Sequence, residues 1–520
     1  MMKKRCVGLC ICLLWSVVQL CAAPLKREMR GAWIATVANI DWPEKDVFDA
    51  TEQQRQLVAI LDTLMKNKIN AVVFQVRPTA DALYQSSLEP WSHWVTGTQG
   101  TPPNPYYDPL AFVIEEAHAR CIDVHVWLNP YRVTNKMDTS ILSSNHIFRH
   151  RPELFLQYGD KWYFDPGLDE TRAFLNQVVA DVVKRYDIDA IHFDDYFYPY
   201  KIKGKDFPDN NTFKKHPRGF TDKEAWRRNN VDMVIAELQQ TIKSIKPWVE
   251  FGISPFGVWR NKSNDPRGSD TQAGAQNYDD LYADILKWLE EGTIDYVAPQ
   301  LYWEIGKKVA DYEVLAKWWS DNSYGRNLYI GLYASQLTNP HAPMAWRKPN
   351  ELARQMRLNT QYPQIDGCML YSTQAIMKNP QGLCDSLQQV FYTHDALPPI
   401  NRNIEIDTSA APYNLRLVGE NENALLLWNS EDEEGGCAVA YYVVYAFPGD
   451  SVGNLDNPRN ILCKTAARGI PLRNYLHRLP HNTYTFVVTS LNKYKVESAH
   501  SNIIHWNKET PTLPEETPAP

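Results

Sequence analysis

Asp194 and Asp195 end the strand-like start of AIHFDDYFYPY (190–200), where an apolar run gives way to two adjacent carboxylates and then to Tyr196, Phe197, Tyr198 and Tyr200. Carboxylates are costly to desolvate at the end of a buried strand, so their placement there points to use. Period-two alternation turns Ile191 and Phe193 outward and His192 and Asp194 inward. It sends Asp195 outward again, where it can cap the next loop or orient Asp194. The same reading turns Gln75 and Arg77 inward, then His125, Trp127 and Asn129, then Gln300, Tyr302 and Glu304, with Val297, Pro299 and Leu301 facing out. Four strands thus send polar side chains to one mouth.

The carboxylates available at that mouth are Asp194, Asp195 and Glu304. Two carboxylates facing each other among aromatic rings suit hydrolysis of a glycosidic bond, one as nucleophile or base and the other, with a raised pKa, as acid. Arg77 is placed to hold Asp194 ionised. His125 and His192 read equally as hydrogen-bonded liners of the pocket or as proton-transfer groups. Trp91, Trp94, Trp259 and Trp303 offer flat faces for stacking on sugars, although each alone also suits core packing. No metal or cofactor is expected, because no His/Asp cluster has ligand spacing and Asp194 and Asp195 point opposite ways.

These residues need a frame. Strand candidates at 30–37, 70–78, 123–130, 190–197, 250–257, 295–303, 327–334 and 367–373 alternate with helical stretches at 54–67, 110–120, 174–186, 231–245 and 281–291. Eight strands alternating with helices predict a (β/α)8 TIM barrel, whose active site lies at the C-terminal ends of its strands. After Tyr392 the texture changes. A Pro/Asn-rich link (397–412), read as exposed, leads to period-two runs at 423–430, 440–447 and 483–492, with Trp428 as a core residue. This predicts an all-β, fibronectin type III-like sandwich over 410–507, separable from a barrel over 27–395. The tail 508–520 reads as disordered.

The N-terminus predicts export. Lys3, Lys4 and Arg5 precede an apolar run, Val7 to Leu20, and small residues follow at Cys21–Ala23, which gives a signal peptide over 1–23. Cys21 invites lipidation, but bulky Leu20 stands where a small residue is needed, so a periplasmic, cell-surface or secreted protein without a membrane anchor is expected. The 54 basic and 61 acidic residues are dispersed without a basic stripe, which argues against nucleic acid as a partner. The 17 Trp and 28 Tyr suit a carbohydrate binder. Cys121, Cys368, Cys384, Cys437 and Cys463 are scattered, odd in number and read as buried small hydrophobes.

RGAWIATVANIDWP (30–43), FQVRP (74–78), WLNPYR (127–132), IHFDDYFYPY (191–200), ISPFGVWRN (253–261) and APQLYW (298–303) together resemble the glycosyl hydrolase-like 10 family. The resemblance runs from Arg30 to Tyr392 and implies an exported barrel acting on cell-envelope polysaccharide, with peptidoglycan glycan strands among the candidates. It places the family's strand-4 aspartate on Asp194. Related barrels put the acid on strand 6, which falls on Glu304, leaving Asp195 in support. Arg132, Tyr196 and Trp259 lie within these motifs and join Arg77, Gln75, His125, Trp127, Asn129, His192, Gln300, Tyr302 and Trp303 as the expected substrate-binding set. Two other readings stay open: a carbohydrate-binding barrel without turnover, and a polysaccharide lyase using Tyr302 or His192 as base.

Overall fold

The computed structural model describes residues 24–508 apart from 349, 403, 405–407 and 420. The expected signal peptide and the tail beyond Lys508 lie outside the described residues. Eight strands form the barrel: β1 (Met29–Ile34), β2 (Ala71–Arg77), β3 (Asp123–Leu128), β4 (Ala190–Phe193), β5 (Glu250–Ile253), β6 (Tyr296–Val297), β7 (Asn327–Leu332) and β8 (Ile365–Leu370). Each pairs in parallel with the next, and β8 closes on β1. All eight expected strands are present but stop short of their predicted ends. The shortest is β6, which continues only as isolated bridges from Gln300 to Phe256 and Gly331.

Around the barrel lie α1 (Ala50–Lys66), α2 (Pro109–Ala119), α3 (Asp169–Arg185), α4 (Lys223–Ile245), α5 (Ile285–Glu291), α6 (Tyr312–Asp321) and α7 (Glu351–Asn359). The side chains of Asp49, Asp108, Asp222 and Asp311 accept from the first free amides of α1, α2, α4 and α6, fixing where those helices begin. The expected helix at 281–291 is broken, because Tyr282 sits in the left-handed region (φ 56°) and α5 starts only at Ile285. Alternation along the strands divides the core in two. Val72, Phe74 and Val76 of β2 pack outward with the helices. Trp33, Val73, Trp127, Tyr296, Tyr329 and Met369 fill the barrel axis, so the barrel is a packed core closed below the site.

The C-terminal region is all-β. Strands β9 (Tyr413–Val418), β10 (Leu425–Asn429) and β13 (Gly469–Pro471) form one sheet; β11 (Val439–Pro448), β12 (Ile461–Thr465), β14 (Thr483–Asn492) and β15 (Ile504–Asn507) form another. Leu426, Trp428, Tyr442, Val444, Phe486 and Trp506 belong to the core these sheets share. The opposite face of the larger sheet carries Tyr441, Val443, Phe447 and Leu491, which pack with Cys121 and Leu397 of the barrel.

The link is not exposed at its start. Leu397 is fully buried, accepts from the Glu28 amide (2.9 Å) and donates to the Lys26 carbonyl (2.8 Å). Arg27 joins both regions by donating to the carbonyls of Pro398 and Lys495, each at 2.9 Å. Lys495 itself is buried under the barrel, 2.8 Å from Glu250 and 3.1 Å from Asp123, the first residues of β5 and β3. Among the described residues no helix is long and apolar enough to cross a membrane, and the five cysteines are unbridged.

Candidate active site

β4 ends at Phe193, and the next two residues bring their carboxylates to the mouth. Asp194 is 3% exposed and held from three sides. The Trp127 indole donates to it at 3.0 Å, the Asn129 carboxamide reaches both its oxygens at 3.1 Å, and the Tyr196 amide donates at 3.3 Å. Asn129 is oriented in turn by the Arg132 amide, which donates to its oxygen at 2.8 Å. Burial pushes Asp194 above the usual carboxylate range, and the Arg132 charge and these hydrogen bonds oppose that shift.

Asp195 does not face outward as alternation predicts. It accepts from the Tyr200 hydroxyl and, at 3.3 Å, from the Gln300 carboxamide, an inward residue of the β6 end. The alternation holds as far as the ladder holds; past Phe193 the chain turns, the Phe197 amide donating to the Asp195 carbonyl at 3.1 Å, and period two no longer applies. Asp195 is 4% exposed, and burial together with the adjacent Asp194 charge pushes it up to about 7. The two carboxylates thus share one site in unlike surroundings, Asp194 ringed by donors and Asp195 poised near neutrality.

Aromatic side chains wall this mouth. Arg132 lies over the Tyr196 ring at 5.4 Å, and Tyr196 meets Tyr200 edge-on at 5.7 Å. Tyr302 stacks on Tyr333 (4.7 Å, 24°) and meets Tyr371 at 5.9 Å. Trp303 is half-buried and packs edge-on to Phe256, which reaches Tyr200. Trp127, Asn129, Arg132, Asp194, Asp195, Tyr196 and Gln300 are therefore brought together as one constellation.

Others of the expected set are placed elsewhere. Arg77 is not the partner of Asp194. Fully buried, it pairs in bidentate fashion with Glu89 (2.6–3.0 Å) and donates to the carbonyls of Asn129 and Pro130, so it supports the β3 loop from behind. Gln75 is also fully buried, and its carboxamide oxygen accepts from the amides of Thr36 (3.0 Å) and Val37 (2.9 Å). His125 and His192 lie inside the barrel beneath the mouth, both bonded to the Tyr296 hydroxyl at 2.8 Å. Burial lowers both imidazole pKa values, that of His192 to about 3, so the liner reading fits them and proton transfer near neutrality does not.

Trp259 cannot stack on a ligand as it stands. It is fully buried, lies parallel to Trp318 at 6.1 Å and donates to Asp284 at 3.1 Å. Trp91 and Trp94 pack against Tyr106 and His93 on the loop after β2. Glu304 accepts from Lys307 at 3.2 Å and from the Trp346 indole at 3.4 Å.

Sequence reasoning missed Glu89, Tyr200 and Asp41. Asp41 accepts from the Ala35 amide (2.8 Å), the Ser372 hydroxyl (2.6 Å) and the Gln374 amide (2.9 Å), tying the loop after β1 to the end of β8. It lies seven residues beyond the end of β1, outside the strand-end positions where acids were sought. The sequence did carry a signal for Tyr200, in the aromatic run after Asp195. Among the described residues no group of three or more His, Cys, Asp and Glu converges as metal ligands.

A closed (β/α)8 barrel with two buried carboxylates at its aromatic mouth defines a glycoside hydrolase. The chain belongs to the glycosyl hydrolase-like 10 family, whose profile matches residues 28–346. It is 42% identical over 498 residues to glycosyl hydrolase YngK of Bacillus subtilis (strain 168), covering 94% of this chain and 95% of that one. It is also 42% identical over 367 residues to glycosyl hydrolase DigH of Escherichia coli (strain K12), covering 66% and 83% of the two chains. Among solved structures, the glycoside hydrolase domain of PgaB (BpsB) from Bordetella bronchiseptica aligns with a TM-score of 0.43 at 12% identity, over 71% of this chain and 99% of that one.

Proposed function

We propose that this protein hydrolyses glycosidic bonds in a polysaccharide of the bacterial envelope, with peptidoglycan glycan strands as the first substrate to test. The observation that carries this reading is the unlike pair Asp194 and Asp195, buried together under aromatic rings. Asp194, fixed by Trp127, Asn129 and Tyr196 and near the Arg132 charge, acts as nucleophile, or as base if the enzyme inverts. Asp195, poised near 7, carries the proton for the leaving oxygen. Glu304 is the second candidate donor, but its ion pair with Lys307 favours the ionised form and argues against that role. Tyr196, Tyr302 and Trp303 supply the stacking surface, with Arg132 and Gln300 as polar contacts.

The envelope assignment draws on the family resemblance and on the export leader read in the sequence, which also supports a periplasmic or cell-surface location. The C-terminal sheets fit a fibronectin type III-like sandwich in strand count and in the buried Trp428.

Incubating the protein with peptide-free peptidoglycan strands and with a panel of bacterial and plant glycans, read by mass spectrometry, tests the reading. Products carrying added water support hydrolysis. Unsaturated ends would reveal a lyase, and binding without product on every glycan would reveal a carbohydrate-binding barrel. Loss of product in both Asp194→Asn and Asp195→Asn, with Glu304→Gln retaining most turnover, assigns the carboxylates as stated.

A further inference from the structure

The interior beneath the mouth is polar, which is costly for a barrel core unless each group is satisfied. His125, Ala190 and Glu250 stand in one row across β3, β4 and β5. The next row up holds His192 on β4, Gly252 on β5 and Tyr296 on β6. Gly252 is what lets the Tyr296 ring cross its strand, since a Cβ there would come within 1.9 Å of that ring. The Tyr296 hydroxyl thereby reaches the Nδ1 atoms of both histidines at 2.8 Å, and His192 Nε2 meets the Ser254 hydroxyl at 2.8 Å. The Ser254 carbonyl accepts from Gln300 (2.8 Å), the residue whose carboxamide also donates to Asp195. At the bottom of this column lies Lys495 from the C-terminal region, paired with Glu250 at 2.8 Å.

We propose that Glu250 and Lys495 are positioning residues whose ion pair fixes the proton direction of this column, and so the setting of the Ser254–Gln300 support under Asp195. A tyrosine hydroxyl has one proton, so between two Nδ1 atoms it donates to one and accepts from the other. The two imidazoles must therefore be opposite tautomers, and something outside the column must choose which is which. His125 Nε2 and Glu250 Oε1, in the same row, are both without a hydrogen-bond partner among the described residues. One internal water between them is the usual way such buried polar atoms are satisfied.

A carboxylate held ionised by Lys495 only accepts, so it selects Nε2–H on His125. The bare Nδ1 of His125 then accepts the Tyr296 proton, the tyrosine oxygen accepts from His192 Nδ1–H, and the bare His192 Nε2 accepts the Ser254 proton. The Ser254 hydroxyl is thus turned into the barrel and away from its alternative acceptor, the Phe193 carbonyl at 3.4 Å. The C-terminal region then contributes a charge to the active barrel as well as a covering surface. The link to turnover rests on the proposed role of Asp195; the proton direction does not.

The test is nitrogen NMR on full-length protein labelled at histidine, joined to kinetics on peptide-free glycan strands. The wild type should show His125 as the Nε2–H tautomer and His192 as the Nδ1–H tautomer. The double variant Glu250→Gln/Lys495→Met, which removes the ion pair without leaving a lone buried charge, should lose this unique assignment. Its kcat should fall about tenfold with KM within about twofold, as expected of a group acting on the transition state from a distance. Tyr296→Phe, which deletes one hydroxyl and keeps the ring, should leave His125 as Nε2–H, release His192 to mixed tautomers and lower kcat similarly. The opposite tautomers in the wild type would overturn the proposal, and that measurement needs no variant to fold. Unchanged tautomers in the double variant would overturn it as well, as would a drop in stability with kcat intact. Wild-type turnover in Asp195→Asn would instead sink the catalytic reading while leaving the tautomer result to stand.

Discussion

If Asp195 donates the proton, turnover should fall on the alkaline side as that carboxyl ionises near 7, and Tyr200→Phe should move the fall to higher pH. The sign follows from what the Tyr200 hydroxyl does. It donates to Asp195, and a donated hydrogen bond favours the charged form, so deleting it makes ionisation harder and raises the pKa. A hydrogen bond to a charged group contributes about 1.5–3 kcal/mol, and a neutral carboxyl keeps part of it. With Tyr200 half-buried and Gln300 still donating at 3.3 Å, a differential of about 1.4 kcal/mol, or about one pH unit, is the reasonable magnitude. At about pH 8 the protonated fraction would then rise from roughly a tenth to roughly a half, so relative activity there should rise about fivefold.

The assay is kcat/KM on glycan strands from about pH 5 to about pH 9, each profile scaled to its own maximum. The opposite sign is available as a control. Asp194→Asn removes the neighbouring negative charge that helps raise Asp195, so the Asp195 carboxyl, followed by carbon NMR in this slow variant, should titrate lower than in the wild type. An alkaline limb that stays put in Tyr200→Phe, or moves to lower pH, would refute the assignment of that limb to Asp195. Stability carries the same signature. A carboxyl raised in the folded state holds its proton where the unfolded chain has lost it, so its contribution is full below about pH 4 and is lost as pH rises through about 7. Asp195→Asn should flatten that decline in thermal melts.

Other expectations follow from the same contacts. Asp194→Asn should lower turnover by about three orders of magnitude with the melting temperature little changed, because the loss is of a nucleophile or base and the asparagine keeps most of the shape. Arg77→Met should destabilise by about 3–5 kcal/mol in urea titrations, since it strands Glu89 uncharged by any partner in the core, and Arg77→Met/Glu89→Leu should recover much of that; equal loss in both variants would mean that the pair is not the cause. A chain ending at Asp395 should be less soluble and melt lower than the full chain, because it strips Lys495 from Asp123 and Glu250 and bares Cys121; an equally stable barrel would show that the C-terminal contacts are dispensable. In the full chain, burial alone would lower the His118 pKa, but the Asp189 charge and hydrogen bond outweigh it and raise it to about 9. His118 should therefore add stability that is full below about pH 6.5 and lost as pH rises through about 9, and His118→Asn should remove that slope.

The barrel was legible because its strands are buried on both faces and its helices on one, so apolar periodicity marks every element from Met29 to Leu370. Within the strands the inward and outward sides were legible for the same reason: Ile191 and Phe193 do join the helix-side core, while Tyr296 and Trp127 fill the axis. What alternation could not supply was distance along the inward face. Gln75, His125 and His192 point inward as read, yet they sit at levels below the mouth, where a polar side chain is a structural member of the interior and not a wall of the pocket. Arg77 shows a related limit. Its inward direction was right, but its partner Glu89 comes from a loop, and no periodicity places a loop carboxylate against a strand.

The same physics explains why Asp195 was the hardest residue to read. A ladder enforces period two only while both neighbours hydrogen-bond to it, and β4 gives out at Phe193. The chain is then free to turn both carboxylates toward the mouth, at the cost of setting one negative charge beside another in a desolvated place. That cost is what separates the two aspartates chemically. Donors from Trp127, Asn129 and Tyr196 converge on Asp194, whereas Asp195 receives only Tyr200 and Gln300 and bears the burden of its neighbour's charge. An enzyme that needs one carboxylate charged and one protonated near neutral pH can obtain both from adjacent identical residues if the strand ends between the last outward apolar residue and the first acid. Extending β4 by two residues would turn Asp195 toward the helices and abolish that division.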